Sequence, residues 1–213
     1  MTGVLYRVAV AALLAMLAAC ANNPPQLAGA PPPVPKVEHE SCYQELDADG
    51  VTYQRQRDFH EENGCGIDHN VKVDKSPIPL SRPALMNCSF AATLAEFEIR
   101  IVRPAAMRIL HKQVTQVAHV GTYNCRGERG GDASRLSQHA YGKAIDIIGF
   151  EVEGGERISV SKDWHGSDAK AQFLHEVAKG ACSIFDVVIT PNHNSFHSDH
   201  IHVDIGPYKF CGI

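Results

Sequence analysis

The chain has 213 residues, 44% of them hydrophobic and 21% charged, with a formal net charge of −4. That apolar share supports a packed core and excludes a wholly disordered chain, and the length suits one ordinary domain plus an extension. No basic excess is present to grip a phosphate backbone, which argues against nucleic acid as a partner.

In chain order, Met1 to Arg7 carries one cationic side chain and Val8 to Ala19 is an unbroken apolar run. The run is shorter than the roughly 20 apolar residues of a membrane-spanning helix but suits a signal-peptide core, so residues 1–19 are expected to be a signal peptide. It ends Leu17-Ala18-Ala19-Cys20 and resembles the bacterial lipobox. That resemblance implies that Cys20 receives diacylglycerol, becomes the mature N-terminus and anchors the chain to a membrane. Ala21 follows rather than Asp, which by the usual sorting pattern implies the periplasmic face of the outer membrane of a Gram-negative cell. A plain secretory signal with a chance cysteine is the rival reading. Residues 20–37 then read as a tether: six of the twelve prolines fall between Pro24 and Pro35, a composition that favours extended polyproline II at about 3.1 Å per residue.

With Cys20 set aside, six cysteines remain: Cys42, Cys65, Cys88, Cys125, Cys182 and Cys211. An even number in an oxidising compartment predicts three disulfides, and no C-x-x-C spacing supports a thiolate zinc site. Pairing by sequence neighbours predicts Cys42–Cys65, Cys88–Cys125 and Cys182–Cys211.

The folded part is expected over residues 38–213. Cys42 to Leu46 and Val51 to Tyr53 flank Asp47-Ala48-Asp49-Gly50 as a hairpin turn; a calcium loop is disfavoured because its bidentate position holds the amide Gln56. Pro77, Pro79 and Pro83 mark an extended stretch. Phe90, Leu94, Phe97 and Ile101 share one face of an amphipathic helix that should stop or kink at Pro104, with Ala105 to Leu110 continuing helically. Val114 to Tyr123 reads as a strand, Ala144 to Val152 and Arg157 to Val160 as a hairpin, and Asp168 to Gly180 as a helix. Phe185 to Ile189 and His200 to Ile205 read as further strands. The class is α+β, a mainly antiparallel central sheet flanked by helices.

The chemistry lies in two segments, Ser137-Gln-His139-Ala-Tyr-Gly142-Lys-Ala144-Ile-Asp146 and His197-Ser-Asp199-His200-Ile-His202-Val-Asp204. Strand alternation puts His200, His202 and Asp204 on one face and Ile201, Val203 and Ile205 on the other. Asp146 sits inside the apolar run Ala144 to Ile148, a costly place for a carboxylate unless a cation compensates it. Two imidazoles and one carboxylate on zinc leave a fourth position open, the catalytic rather than the structural arrangement. Any one of these histidines alone reads more simply as a surface residue, His193 above all.

Together these segments resemble the zinc peptidases that include D-alanyl-D-alanine peptidases, lysostaphin-like enzymes and hedgehog domains. More closely, the chain resembles the bacterial extensin-like C-terminal domain family, through Cys65-Gly-Ile, Tyr123-Asn-Cys125-Arg126, the His139 segment, Ala181-Cys182 and Asp199-His-Ile-His202-Val-Asp204. The resemblance implies one Zn²⁺ per chain on His139, Asp146 and His202, and the fold of that zinc-peptidase group. It further implies Asp199 as catalytic base, His197 and His200 as imidazoles that orient the base or stabilise the oxyanion, and Arg126 as a carboxylate or oxyanion partner. Ser137 and Gly142 are read as structural. No Gly-x-Ser-x-Gly elbow is present, so a serine acyl-enzyme route is disfavoured. The expected function is a lipid-anchored zinc peptidase acting on peptidoglycan peptides. A non-catalytic zinc-containing wall-binding lipoprotein is the alternative, a zinc-sequestering protein is a third reading, and endopeptidase against carboxypeptidase stays open.

Overall fold

The computed structural model describes residues 41–128 and 134–213. The expected signal peptide over residues 1–19, Cys20, the expected tether over residues 20–37 and residues 129–133 lie outside the described residues. No helix among the described residues is long and apolar enough to cross a membrane.

The domain opens with a helix where a strand was expected. Helix α1 (Cys42–Ala48) buries Cys42 and Leu46, spaced i and i+4 on one face. The Asp47–Gly50 segment therefore closes a helix and does not turn a hairpin; Gly50 takes φ +69° after it. Strands β1 (Thr52–Arg55), β4 (Asn70–Lys75) and β5 (Ala84–Asn87) form a small antiparallel sheet in the order β1-β4-β5, and β2 (Phe59–His60) pairs with β3 (Gly66–Ile67).

Helix α2 (Cys88–Phe97) follows, its N-terminus capped by the Asn87 side chain, which accepts from the backbone N–H groups of Ser89 and Phe90. The helical path continues beyond Pro104, as expected for Ala105 to Leu110. A π-helical turn over Glu98–Val102 leads directly into α3 (Arg103–Ile109). A proline ring clashes with the carbonyl four residues before it and donates no hydrogen bond, and the wider turn moves that carbonyl aside so the helical path continues. Glu98 in this turn is fully buried, accepting from Ser76 Oγ and from the Ile78 N–H, both at 2.9 Å. Burial pushes its pKa up to about 8 against the opposing pull of those hydrogen bonds.

The main sheet has six strands in the order β11-β9-β10-β7-β6, with β8 also on β7. They are β6 (Val114–Gly121), β7 (Ala144–Val152), β8 (Glu156–Ser159), β9 (Val187–Ile189), β10 (Ile201–Asp204) and β11 (Phe210–Gly212). All pairings are antiparallel except β11 with β9. The fold is thus mixed α+β with mainly antiparallel sheets, as its alternation implied. Helix α4 (Val160–Asp163) follows β8, and α5 (Ala169–Ala181) starts at Asp168, whose carboxylate accepts from the N–H groups of Lys170 and Ala171. One sheet face is the core. Ile145, Ile147, Val188, Ile201 and Val203 are essentially inaccessible, and Phe150 packs edge-on against Phe173 of α5, 5.1 Å between centroids. The register between β6 and β7 slips between Ala118 and His119, opposite Gly149 and Ile147. That irregularity switches the alternation of β7, so Ile147 and Phe150 are both buried.

Three disulfides are present: Cys42–Cys88, Cys65–Cys125 and Cys182–Cys211. The third follows the neighbour rule, and the first two overturn it. Cys42 lies 5.8 Å in Cα separation from Cys88 because α1 packs on α2. Cys65 pairs with Cys125 because the β2–β3 hairpin lies against the segment leaving β6, where Phe59 meets Tyr123 edge-on at 5.2 Å.

Peptide mapping without reduction should recover these three bridges and neither Cys42–Cys65 nor Cys88–Cys125. Glu98→Gln should keep both hydrogen-bond partners. An acid whose folded pKa is raised from 4.5 to about 8 contributes stability in full below 4.5 and loses it as pH rises through 8. A glutamine side chain does not titrate, so this variant should gain stability relative to the parent between those values, by roughly 1 kcal/mol or more. Thermal unfolding at pH 5 and pH 8.5 should show the gap, about 2–4 °C per kcal/mol.

Candidate metal centre

Each of three residues arrives from a different element. Ser137 begins a short 3₁₀ turn (Gln138–Tyr141) by accepting from the His139 N–H, and Gly142 ends it at φ +61°. A Cβ at Gly142 would come 2.8 Å from Ile67 Cδ1 and 3.0 Å from the Asn87 nitrogen. The turn is therefore pressed against β3 and the start of α2, and only glycine fits. Asp146 comes from β7. His202, on β10, is its direct cross-strand partner. Because the core face of both strands is filled with Ile145, Ile147, Ile201 and Val203, Asp146 and His202 must face the other way.

Their ligand atoms form a small triangle. His139 Nε2 lies 3.0 Å from Asp146 Oδ1 and 3.2 Å from His202 Nδ1, and His202 Nδ1 lies 2.9 Å from Asp146 Oδ1. The outer nitrogens decide what these atoms are. His139 Nδ1 meets the Thr122 carbonyl at 2.7 Å and His202 Nε2 meets the Asp204 carboxylate at 2.9 Å. Both partners only accept, so both outer nitrogens donate. The inner nitrogens of the neutral rings are then bare lone pairs aimed at a carboxylate oxygen. Three acceptors at this separation repel one another unless a cation sits among them, and edges of about 3 Å suit donors each about 2 Å from one ion. An acceptor-bound outer nitrogen is the usual support of a ligating histidine.

Protons and metal compete for these lone pairs. Burial disfavours the charged form of His202, but its hydrogen bonds and charge coupling to Asp146 and Asp204 outweigh this and lift its pKa to about 9. Burial likewise opposes ionisation of Asp146, yet hydrogen bonds from His139 and His202 hold its carboxyl well below the ordinary carboxylate range.

The cleft over this triangle has a volume of about 270 Å³. Arg126 lines it beyond the end of β6, in the loop tied down by Cys125, with its guanidinium 3.8 Å from Asp146 Oδ2. His200 lines it too. Its Nδ1 donates to Asp199 Oδ1 at 2.8 Å, and its Nε2 stands 3.6 Å from Asp146 Oδ1, outside the group of converging donors. Asp199 itself is 68% exposed in its side chain and does not line the cleft. His200, and not Asp199, faces Asp146 across the cleft, while the Asp199 side chain turns outward. His197 is buried. Its Nδ1 donates at 2.7 Å to Asn194 Oδ1, which also accepts from the Phe196 N–H and so must be the oxygen. Burial, then the nearby charges of His200 and His202, depress its pKa to about 4, so it is neutral at pH 7 with a bare Nε2.

His193, read from sequence as a surface residue, is indeed exposed, and it also lines the cleft. Thr122, Asp204 and Asn194 had no assigned roles, though the alternation His202-x-Asp204 was a readable hint. Thr122 acts through its carbonyl, which has no sequence signature. Among the described residues the other group of close metal-type donors is Glu61, Cys65 and Cys125, whose two sulfurs are already joined.

Fold and site together define an α+β domain, cross-linked by disulfides, with a two-histidine, one-carboxylate centre in an open cleft. The chain belongs to the family described as "Extensin-like protein C-terminus", which matches residues 40–212. Comparison with curated proteins and with solved structures gave no match.

The purified protein should take up close to one divalent zinc per chain, and His202→Ala should lose most of it by elemental analysis. Zinc must displace the His202 proton. Apparent affinity, measured against a chromophoric chelator, should therefore rise by up to about tenfold per pH unit and level off above pH 9.

Proposed function

We propose that this protein is an exported zinc-dependent peptidase acting on the peptides of peptidoglycan, at amide bonds of D-amino acids. One observation carries the reading: three lone pairs converge, the two imidazole ones each backed by an acceptor on the outer nitrogen, in an open cleft lined with Arg126 and His200. The order of a turn histidine, a strand aspartate and a histidine on the paired strand resembles the zinc D-alanyl-D-alanine peptidase group, and we read the fold as theirs. Three disulfides suit an oxidising compartment, in keeping with export and lipid attachment at Cys20.

Zinc held by His139, Asp146 and His202 would supply a Lewis acid for the scissile carbonyl and lower the pKa of water. The chain's own residues divide the remaining work. Arg126 presents a permanently charged fork to a substrate carboxylate or to negative charge developing on the carbonyl oxygen. His200, its Nδ1–H given to Asp199, faces the cleft with a bare Nε2 that takes a proton from water and returns it to the leaving amine. Asp199 acts through His200, fixing its tautomer and supporting its charged form. His197, neutral with a bare Nε2, has no proton there to give to an oxyanion and can only accept.

The outward turn of Asp199 favours the second reading, a zinc-containing wall-binding lipoprotein without catalysis. Digestion of purified peptidoglycan with and without chelator, followed by mass spectrometry, separates the two. Chelator should abolish release of peptides. His200→Ala should keep its zinc and slow release by ~10²–10⁴-fold, while Asp199→Asn should cost less, roughly tenfold. Zinc-loaded protein that binds the polymer and releases nothing would support the binding lipoprotein instead.

A further inference from the structure

The sheet face that carries the metal centre continues past it as an apolar shelf. In the cross-strand register Asp146, His202 and Ile189 form one row, and Asp204, Val187 and Phe210 form the next. Residues in register share a face, so Ile189, Val187 and Phe210 lie on the same side as the triad, while Val188 between them is fully buried in the core. A solvent-facing sheet surface ordinarily carries polar groups at such positions. Here the floor is aliphatic and the surround is aromatic, with Phe196 60%, Tyr208 57% and Phe210 44% exposed.

The Phe210 ring is held in place. Its edge, Cε1 and Cζ, occupies the space over Gly212 that a Cβ would fill. His193 packs against it edge-on, 4.9 Å between centroids. Cys211, between Phe210 and Gly212, is tied to Cys182, so the strand carrying the ring is fixed to the end of α5.

We propose that this shelf is a glycan subsite, which seats a pyranose ring of the same wall polymer whose peptide meets the metal centre. The proposal rests on the substrate class read above. The shelf is open rather than enclosed, so an apolar side chain laid on it would stay half in water and gain only part of the roughly 25 cal/mol per Å² of burial. A pyranose has one face of C–H groups and a rim of hydroxyls and amides. It needs a flat apolar support below and polar groups beside it. Asn194, His193 and Arg135 line the same cleft next to the aromatic residues. Strands lie about 4.8 Å apart, so the β11 strand runs roughly 10 Å from β10. An extended linker of about three residues at ~3.3 Å each spans that distance, and one polymer can reach both sites.

The test is a calorimetric or NMR titration of the full-length, zinc-loaded protein with the β-1,4-linked tetramer of N-acetylglucosamine. The parent protein should bind it, and Phe210→Ala and Phe196→Ala should each weaken binding about 5- to 10-fold at unchanged zinc content. Gly212→Ala retains every aromatic ring but displaces Phe210, and should weaken binding as well. If Phe210→Ala does not fold, Phe196→Ala and Gly212→Ala still decide. No binding by the parent protein, or parent-like binding by all folded variants, would overturn the proposal. So would a sugar-free peptide ending in D-Ala-D-Ala whose binding weakens in Phe210→Ala, since that would seat a peptide side chain on the shelf. Tetramer binding without any peptide hydrolysis would leave the subsite standing and remove only the peptidase reading.

Discussion

The register of β10 on β7 is the constraint on which the site depends. His202 stands opposite Asp146 because Ile201 and Val203 must meet Ile147 and Ile145 on the core face. A slip of one residue would turn His202 into the core and expose two large aliphatic side chains, so the hydrophobic pattern that stabilises the sheet also aims the two candidate ligands. His139 needs a separate device, since it precedes β7. The capped 3₁₀ turn and the left-handed Gly142 fold the chain back so that the imidazole reaches over its own strand.

The same pairing creates an electrostatic problem. A carboxylate and two neutral imidazoles, mutually about 3 Å apart and largely shielded from water, are stable only with a cation or protons among them. Thr122 and Asp204 make the arrangement specific, because each takes up an outer imidazole N–H and leaves the inner nitrogen bare. The raised pKa of His202 has a consequence for the metal-free protein. A group lifted from 6.5 to about 9 by folding stabilises the fold fully below 6.5, and that contribution is lost as pH rises through 9. A proton and a metal ion would thus be alternative occupants of one built site.

The disulfides mark which parts of the frame would otherwise be weakest. Cys65–Cys125 ties the short β2–β3 hairpin to the loop carrying Arg126, which leaves β6 with little sheet pairing of its own. Cys182–Cys211 secures β11, a three-residue edge strand bonded only to β9, and with it the aromatic end of the cleft. Cys42–Cys88 joins α1 to α2 in the interior. Each closes a long loop, the circumstance in which a cross-link removes the most unfolded-state entropy, on the order of 2–4 kcal/mol.

Much of this was legible in the sequence wherever a local pattern carried it. Period-two alternation in His200 to Ile205 identified β10 and its polar face, the apolar run from Ala144 marked β7, and the 3.6-residue spacing of Phe90, Leu94 and Phe97 identified α2. The special position of Asp146 within an apolar run was visible because an uncompensated carboxylate there is physically costly. Where local signals compete, the sequence was ambiguous: Cys42 to Leu46 is a helix because its apolar side packs on α2, and Pro104 is crossed because a π turn accommodates it. The cysteine pairing, the outward turn of Asp199 and the approach of His200 to the triad depend on contacts between residues far apart in the chain, and no local pattern encodes them. Composition and periodicity determined what kinds of elements form and which faces they bury; only the tertiary packing decided which distant atoms meet, because that choice is made by steric fit between faces already formed.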